Sequence, residues 1–147
     1  MKNAFTMIEL IFVIVLIGIL SSIAIPRLTT TRDDAETTKA AEEVRTLISD
    51  IGLYYTSHGR FDHLSKMTSV SLTDGTFNLI DANLTTKAFY SNSAHTDKCL
   101  GFQVDPLSGD LNVTSESVTS GLCRSLNNLL KDMIKVYHFG GSHVSYN

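Results

Sequence analysis

From Leu10 to Pro26 the chain carries no charged residue. The wider segment Phe5 to Ile25 reads FTMIELIFVIVLIGILSSIAI. As a helix it would be about 31 Å long, close to the hydrocarbon thickness of a bilayer. Its apolar residues fall on every side rather than in one stripe, so no face of such a helix suits water. Ile and Val are numerous, which costs little in lipid, where the backbone has no water to bond instead. A chain of 147 residues with this start leaves one modest domain for a soluble core.

Three readings of the segment compete. An ordinary secretory signal would use Lys2 as a thin basic start and Ser22-Ile23-Ala24 as a small-x-small cleavage site. A plain membrane anchor would need only the hydrophobicity. The third is a short leader followed by an assembly helix. Glu9 separates them, because a carboxylate inside a membrane segment costs about 2.5–3.5 kcal/mol on insertion scales. Nothing within the segment is expected to pair with it. Cleavage between Ala4 and Phe5 would free an α-amine on Phe5. Glu9 lies four residues on, about 6 Å along a helix axis. In a staggered bundle of identical helices, the amine of one chain can meet Glu9 of the next. Desolvated charges must pair, so that contact would set the axial register. The bland alternative is a Glu9 that reaches the headgroups and pairs with nothing.

The run Ala4-Phe5-Thr6-Met7-Ile8-Glu9-Leu10 resembles the leader and mature start of type IV pilins and type II secretion pseudopilins. The resemblance implies cleavage before Phe5 by a prepilin peptidase and methylation of the new amine. It places Glu9 at the family's glutamate and Pro26 at a proline the family often has. The family usually has Gly before the cleavage site, and here Ala4 keeps the position small, which implies slower or tolerated processing. The implied organisation is a leader over 1–4 and a transmembrane assembly helix over 5–25. An amphipathic continuation over 26–58 and a periplasmic head over 59–147 follow. Lys2 on one side and Arg27 and Arg32 on the other leave the charge rule for orientation silent. The orientation, with the head outside the cytoplasm, therefore comes from the resemblance. So do the implied partners: related pilin subunits, a prepilin peptidase and an inner-membrane assembly platform. The implied role is a pseudopilin of a type II secretion or competence (DNA uptake) system, with a surface pilus subunit for adhesion or motility as the alternative. A rival of another class is a periplasmic or membrane-anchored binding protein that never polymerises. The location implied is the inner membrane before assembly and an extracytoplasmic filament after it.

Past Pro26 the sequence turns polar and then striped. Proline within a helix removes one hydrogen bond and clashes with the preceding turn, so a kink is expected at Pro26, with Gly18 a second soft point. Ala40, Ala41, Val44, Leu47, Ile48, Ile51, Tyr54 and Tyr55 recur at three- and four-residue intervals, which predicts a helix to about Tyr55 that ends near His58-Gly59. Tyr54-Tyr55-Thr56-Ser57-His58-Gly59-Arg60-Phe61 resembles the turn that follows this helix in pilins and major pseudopilins, without its proline. Residues 62–98 read as loop with one or two short strands. Leu100 to Val104 alternates as a strand, Asp105 to Asp110 is rich in turn formers, and Leu111 to Val113 alternates again, so a hairpin is expected. Leu126, Leu129, Leu130, Met133, Ile134 and Tyr137 predict a C-terminal helix stopped by Gly140-Gly141, an extra layer on the core with a partner-binding helix as the alternative. The expected fold is α+β and pilin-like: one long helix on a small antiparallel sheet.

Cys99 and Cys123 do not form a C-x-x-C pair, which weakens zinc and redox readings. With the head outside the cytoplasm a disulfide is the natural reading, and two unrelated buried thiols are the alternative. Closing that loop would stabilise by roughly 3 kcal/mol in the chain-entropy model. It resembles the disulfide-bounded loop of many pilins. Asp105 and Asp110 invite comparison with the calcium loops of some major pseudopilins, but their spacing does not match a well-defined calcium loop; plain turn chemistry and no cofactor is the expectation, with calcium in the head as the alternative. His58, His63, His95, His138 and His143 are scattered, which argues against a metal site. No catalytic constellation or phosphate-cradling glycine loop is visible, so an enzyme is not expected. A net charge of −3 gives no basic excess for nucleic acid, although a local patch at Arg124 and Lys131 escapes that argument. Asp81-Ala82-Asn83-Leu84-Thr85 and Asp110-Leu111-Asn112-Val113-Thr114 both fit Asp-x-Asn-x-Thr. That pattern resembles the extended acceptor of certain bacterial oligosaccharyltransferases and marks Asn83 and Asn112 as candidate glycosylation sites, with chance as the bland reading.

Overall fold

The computed structural model describes residues 6–91, 96–116 and 119–140, with the side chains of 23–31 excepted. The chain divides into two compact units, Met1–Glu36 and Thr37–Asn147. Helix α1, Met7–His58, contributes to both. Its helical assignment continues through Gly18 and Pro26. The Pro26 side chain lies outside the described residues.

In the second unit, α1 buries the stripe that its sequence spacing defines. Ala40, Ala41, Val44, Leu47, Ile48 and Ile51 are all in the core, and Tyr54 packs against it. These positions repeat every three to four residues, so they line one side of a 3.6-residue helix. Lys39, Glu42, Glu43 and Arg45 sit between them and form short-range pairs, Lys39 to Glu43 at 3.5 Å and Arg45 to Glu42 at 2.6 Å. Such exposed pairs contribute at most a few tenths of a kcal/mol each. The helix ends at His58 because Gly59 adopts φ +68° and its N–H donates to the Tyr55 carbonyl at 2.7 Å. A left-handed glycine is the commonest device for ending a helix. The reversal brings Phe61 back onto Tyr55, with ring centroids 4.6 Å apart.

The remainder builds a six-stranded antiparallel sheet in the order β2-β1-β3-β4-β5-β6. The strands are β1 Leu72–Thr73, β2 Leu79–Ile80, β3 Ala88–Ser91, β4 Lys98–Asp105, β5 Asp110–Ser115 and β6 Val136–His138. The two longest strands form the hairpin β4–β5, in which Phe102 faces Val113 and Val104 faces Leu111. Leu100, Phe102, Val104, Leu111 and Val113 join the stripe of α1 in one core. Two polar contacts tie helix to head beside it. The Tyr90 hydroxyl donates to Glu43 Oε2 at 2.6 Å, and the Thr68 hydroxyl donates to Asp50 Oδ2 at 2.8 Å. The hairpin turn depends on Gly109, at φ +75°, where a Cβ would overlap the Tyr55 ring and the Gly140 backbone.

The region after Cys99 departs from the sequence expectation at its end. Helix α3 spans Gly121–Leu129, capped by the Ser120 hydroxyl, which accepts from Cys123 N–H at 3.3 Å. Cys123, Leu126 and Leu130 are buried. The expected helix does not continue to Tyr137. A 3₁₀ turn over Lys131–Met133 follows, and then Val136–His138 form β6, with Tyr137 opposite Leu111. The free side of β5 needs hydrogen-bond partners, and the β-branched and aromatic residues at 136 and 137 suit a strand. Residues 62–98 are also more regular than expected, holding α2 Leu64–Met67 and three strands before β4.

Candidate functional site

The most unusual surface lies in the first unit. From Met7 to Leu20 the large apolar side chains are exposed on every side of the helix, with Met7 79%, Phe12 64% and Leu20 67% accessible. Burying one such side chain is worth about 1.5–3 kcal/mol relative to leaving it in water. A stretch of a dozen therefore carries a driving force of tens of kcal/mol toward an apolar surrounding. Two details suit that surrounding. The Ser22 hydroxyl donates to the Ile19 carbonyl at 2.7 Å, so it brings no unmet hydrogen bond. A Cβ on Gly18 would meet nothing within 4 Å, so that position is an open notch. Among the described residues no helix is long and apolar enough to cross a membrane. The described side chains of this stretch end at Ser22, short of the Ile25 at which the sequence segment ends.

Glu9 occupies the first turn of α1. The expectation that the segment gives it no partner is corrected by Thr6. The Thr6 N–H and hydroxyl donate to Glu9 Oε2 at 2.9 and 2.7 Å. In return the Glu9 N–H approaches Thr6 Oγ1 at 3.4 Å. This is a reciprocal capping box, in which two otherwise orphaned helix N–H groups are satisfied. The signal was present in the sequence as Thr6-x-x-Glu9, just before an apolar run. Both Thr6 donors converge on Oε2, and Oε1 has no partner among the described residues. Ala4 and Phe5, the expected cleavage and methylation positions, lie outside the described residues.

In the head, Cys99 and Cys123 form a disulfide with Cα atoms 4.6 Å apart, joining the start of β4 to the first turn of α3. Both residues are fully buried. Asn127, one turn on in α3, donates through Nδ2 to the Cys99 and Cys123 carbonyls at 3.1 and 2.9 Å. The Thr119 hydroxyl donates to Asp97 Oδ1 at 2.6 Å and holds that carboxyl below its usual range. The bridge is thus clamped on both sides by polar contacts.

Of the two carboxylates considered for calcium, one serves the backbone and the other meets a side chain. Asp105 Oδ1 accepts from Leu107 N–H at 2.9 Å inside the hairpin turn. Asp110 Oδ1 lies 2.7 Å from His138 Nδ1. A cavity of about 370 Å³ opens beside them, lined also by Thr85, Gln103 and Asn112. Among the described residues no group of three or more His, Cys, Asp or Glu side chains could hold a metal ion. His58 stacks on Tyr54 at 4.1 Å between centroids, and His63 Nδ1 lies 3.1 Å from the Asp81 carbonyl. His95 and His143 lie outside the described residues.

A second acidic centre was missed in the sequence. Asp62 accepts from His63 N–H at 2.8 Å and from Lys66 Nζ at 3.1 Å, and Tyr54 donates its hydroxyl at 3.2 Å. The His63 N–H first, then the Lys66 ammonium, hold its carboxyl down to about 2. It fastens α2 to the end of α1, so its role is structural. The glycosylation candidates fall in different places: Asn83 is exposed in the loop before β3, and Asn112 is exposed within β5. Comparison with family models, with characterised proteins and with solved structures gives no match.

Proposed function

We propose that this chain is a structural subunit of a type IV pilus-like filament, cut before Phe5, methylated there, and assembled through its N-terminal helix. The observation that carries the reading is the apolar helix exposed on all sides with a glutamate in its first turn. Hydrophobicity alone would serve any anchor. A carboxylate there has a use if a neighbour brings it a positive charge. Thr6 satisfies Oε2, and no other described residue bonds Oε1, so the intramolecular cap and a neighbour's Phe5 amine can be held together. Cleavage before Phe5 leaves the Thr6 N–H and hydroxyl in place, so the cap survives processing.

The head fits an extracytoplasmic position. A buried disulfide persists where the surroundings are oxidising. In this reading the subunit waits as a single-pass protein in the inner membrane and is moved into a filament by an assembly platform. The small head and the Tyr54–Phe61 reversal at Gly59 favour a pseudopilin of a secretion or DNA-uptake system over a surface pilus subunit.

The capping box supplies a sharp test. Glu9→Gln keeps a side chain able to complete the box but removes the charge. Filament yield after co-expression with the assembly machinery should fall to background, with the thermal midpoint of the head unchanged. Filaments at the unmodified level would refute the pairing role and leave Glu9 as a cap only.

A further inference from the structure

The two Asp-x-Asn-x-Thr copies fold differently, and the difference selects one of them. An Asn-x-Thr acceptor needs an accessible amide and a hydroxyl two residues on. At Asn83 the Thr85 hydroxyl donates to Asn83 Oδ1 at 2.8 Å, and the Thr85 N–H points at the same oxygen at 3.5 Å. Asn83 Nδ2 has no partner among the described residues, and the residue is exposed. Leu84 between them adopts φ +57°, a left-handed conformation that a branched side chain seldom takes. Its side chain is fully buried, and its carbonyl accepts from Val104 N–H at 2.9 Å. On the other side the Ala82 carbonyl accepts from Leu64 N–H at 2.9 Å. The flanks are pinned, and the bent Asn-Leu-Thr unit presents its amide outward. Asp81 is exposed two residues earlier, its carboxylate accepting from Ser65 N–H and hydroxyl, both at 2.9 Å.

Asn112 is also exposed and follows Asp110, but it lacks the bent turn and the threonine contact. It lies in an interior strand, opposite Gln103 of β4 on one side and Val136 of β6 on the other. The hydroxyl of Thr114 is turned to Glu116 Oε1 at 2.9 Å and to the Gly101 carbonyl at 3.4 Å. Bending this triplet would break the pairing of β5 with both neighbours.

We propose that Asn83, and not Asn112, is an N-glycosylation site. The donor class is an oligosaccharide linked through pyrophosphate to a membrane polyprenol, transferred by a membrane oligosaccharyltransferase. Asn83 Nδ2 attacks the anomeric carbon. The C–N bond forms as the C–O bond to the pyrophosphate breaks, the lipid pyrophosphate leaves with that electron pair, and the amide gives one proton to a base of the transferase. The Thr85 hydroxyl on Oδ1 draws electron density from the carbonyl and eases loss of that proton. The proposal rests on the extracytoplasmic head proposed above, since the chain must meet the donor there.

Peptide mass mapping of the full chain purified from its native cells tests it. A glycan mass is expected on the Asn83 peptide and none on the Asn112 peptide. Asn83→Gln and Thr85→Ala should lose it to background, and Thr85→Ser should keep it. An unmodified Asn83 in a chain that protease added to spheroplasts digests overturns this proposal alone. An unmodified chain shielded from that protease overturns the extracytoplasmic reading with it. Equal occupancy at Asn112 overturns the geometric selection.

Discussion

Thr6 and Glu9 illustrate how one side chain can hold two roles. The box they form is local and would stabilise the first turn of almost any helix by about 1 kcal/mol. What the box does not use is the second oxygen, and the proposed assembly depends on it. Asp62 shows the opposite case, a carboxylate whose contacts are wholly internal. Its folded value of about 2 is depressed below the roughly 3.9 of an unfolded aspartate. A depressed carboxyl contributes stability above the unfolded value and loses it as pH falls through the folded one. Asp62→Asn should therefore lower the urea midpoint at neutral pH. The gap to the parent chain should close between about pH 4 and pH 2. Urea titrations at neutral pH and at the acid end measure it, and a gap that stays constant would remove the carboxylate from the account. The Asp62 cluster was not legible in the sequence. Its members come together only because Gly59 turns the chain back on α1.

Among the elements, those with a period were readable. The stripe from Ala40 to Ile51 sits in the core where its spacing puts it, and the β4–β5 hairpin follows its alternation and turn residues. Strands β1 and β2 have two residues each, too few to show any alternation. Strand β6 was concealed by a coincidence of spacing. Leu126, Leu130 and Met133 continue a helical pattern into Tyr137, yet Tyr137 pairs with Leu111, a partner far away in sequence. Short apolar runs are ambiguous between helix and strand, and here an unpaired sheet edge decides. The disulfide ties β4 to α3 across a sequence separation of 24. Replacing both cysteines by serine should cost roughly 3 kcal/mol of head stability in the chain-entropy model. Chemical denaturation of the double variant measures it, and a change near zero would mean that the core around Asn127 and Leu126 suffices without the bond.

At the scale of the molecule the two units have opposite needs. The unit from Thr37 onward buries its own apolar core around Phe102, Leu47 and Ile51. The unit before it exposes its large apolar residues from Met7 to Leu20, and these need an outside surface to cover them. That contrast was legible in the sequence from Leu10 to Pro26, because an all-round apolar helix cannot be served by one small head. What periodicity could not supply is the identity of the covering surface, and there the claim rests on Phe5 and Glu9. Mass spectrometry of the N-terminal peptide of the mature chain from its native membrane tests this most directly. The account predicts a chain that begins at Phe5 with one methyl group on its amine. A chain that begins at Ile25, or one that retains Met1 to Ala4, would contradict it.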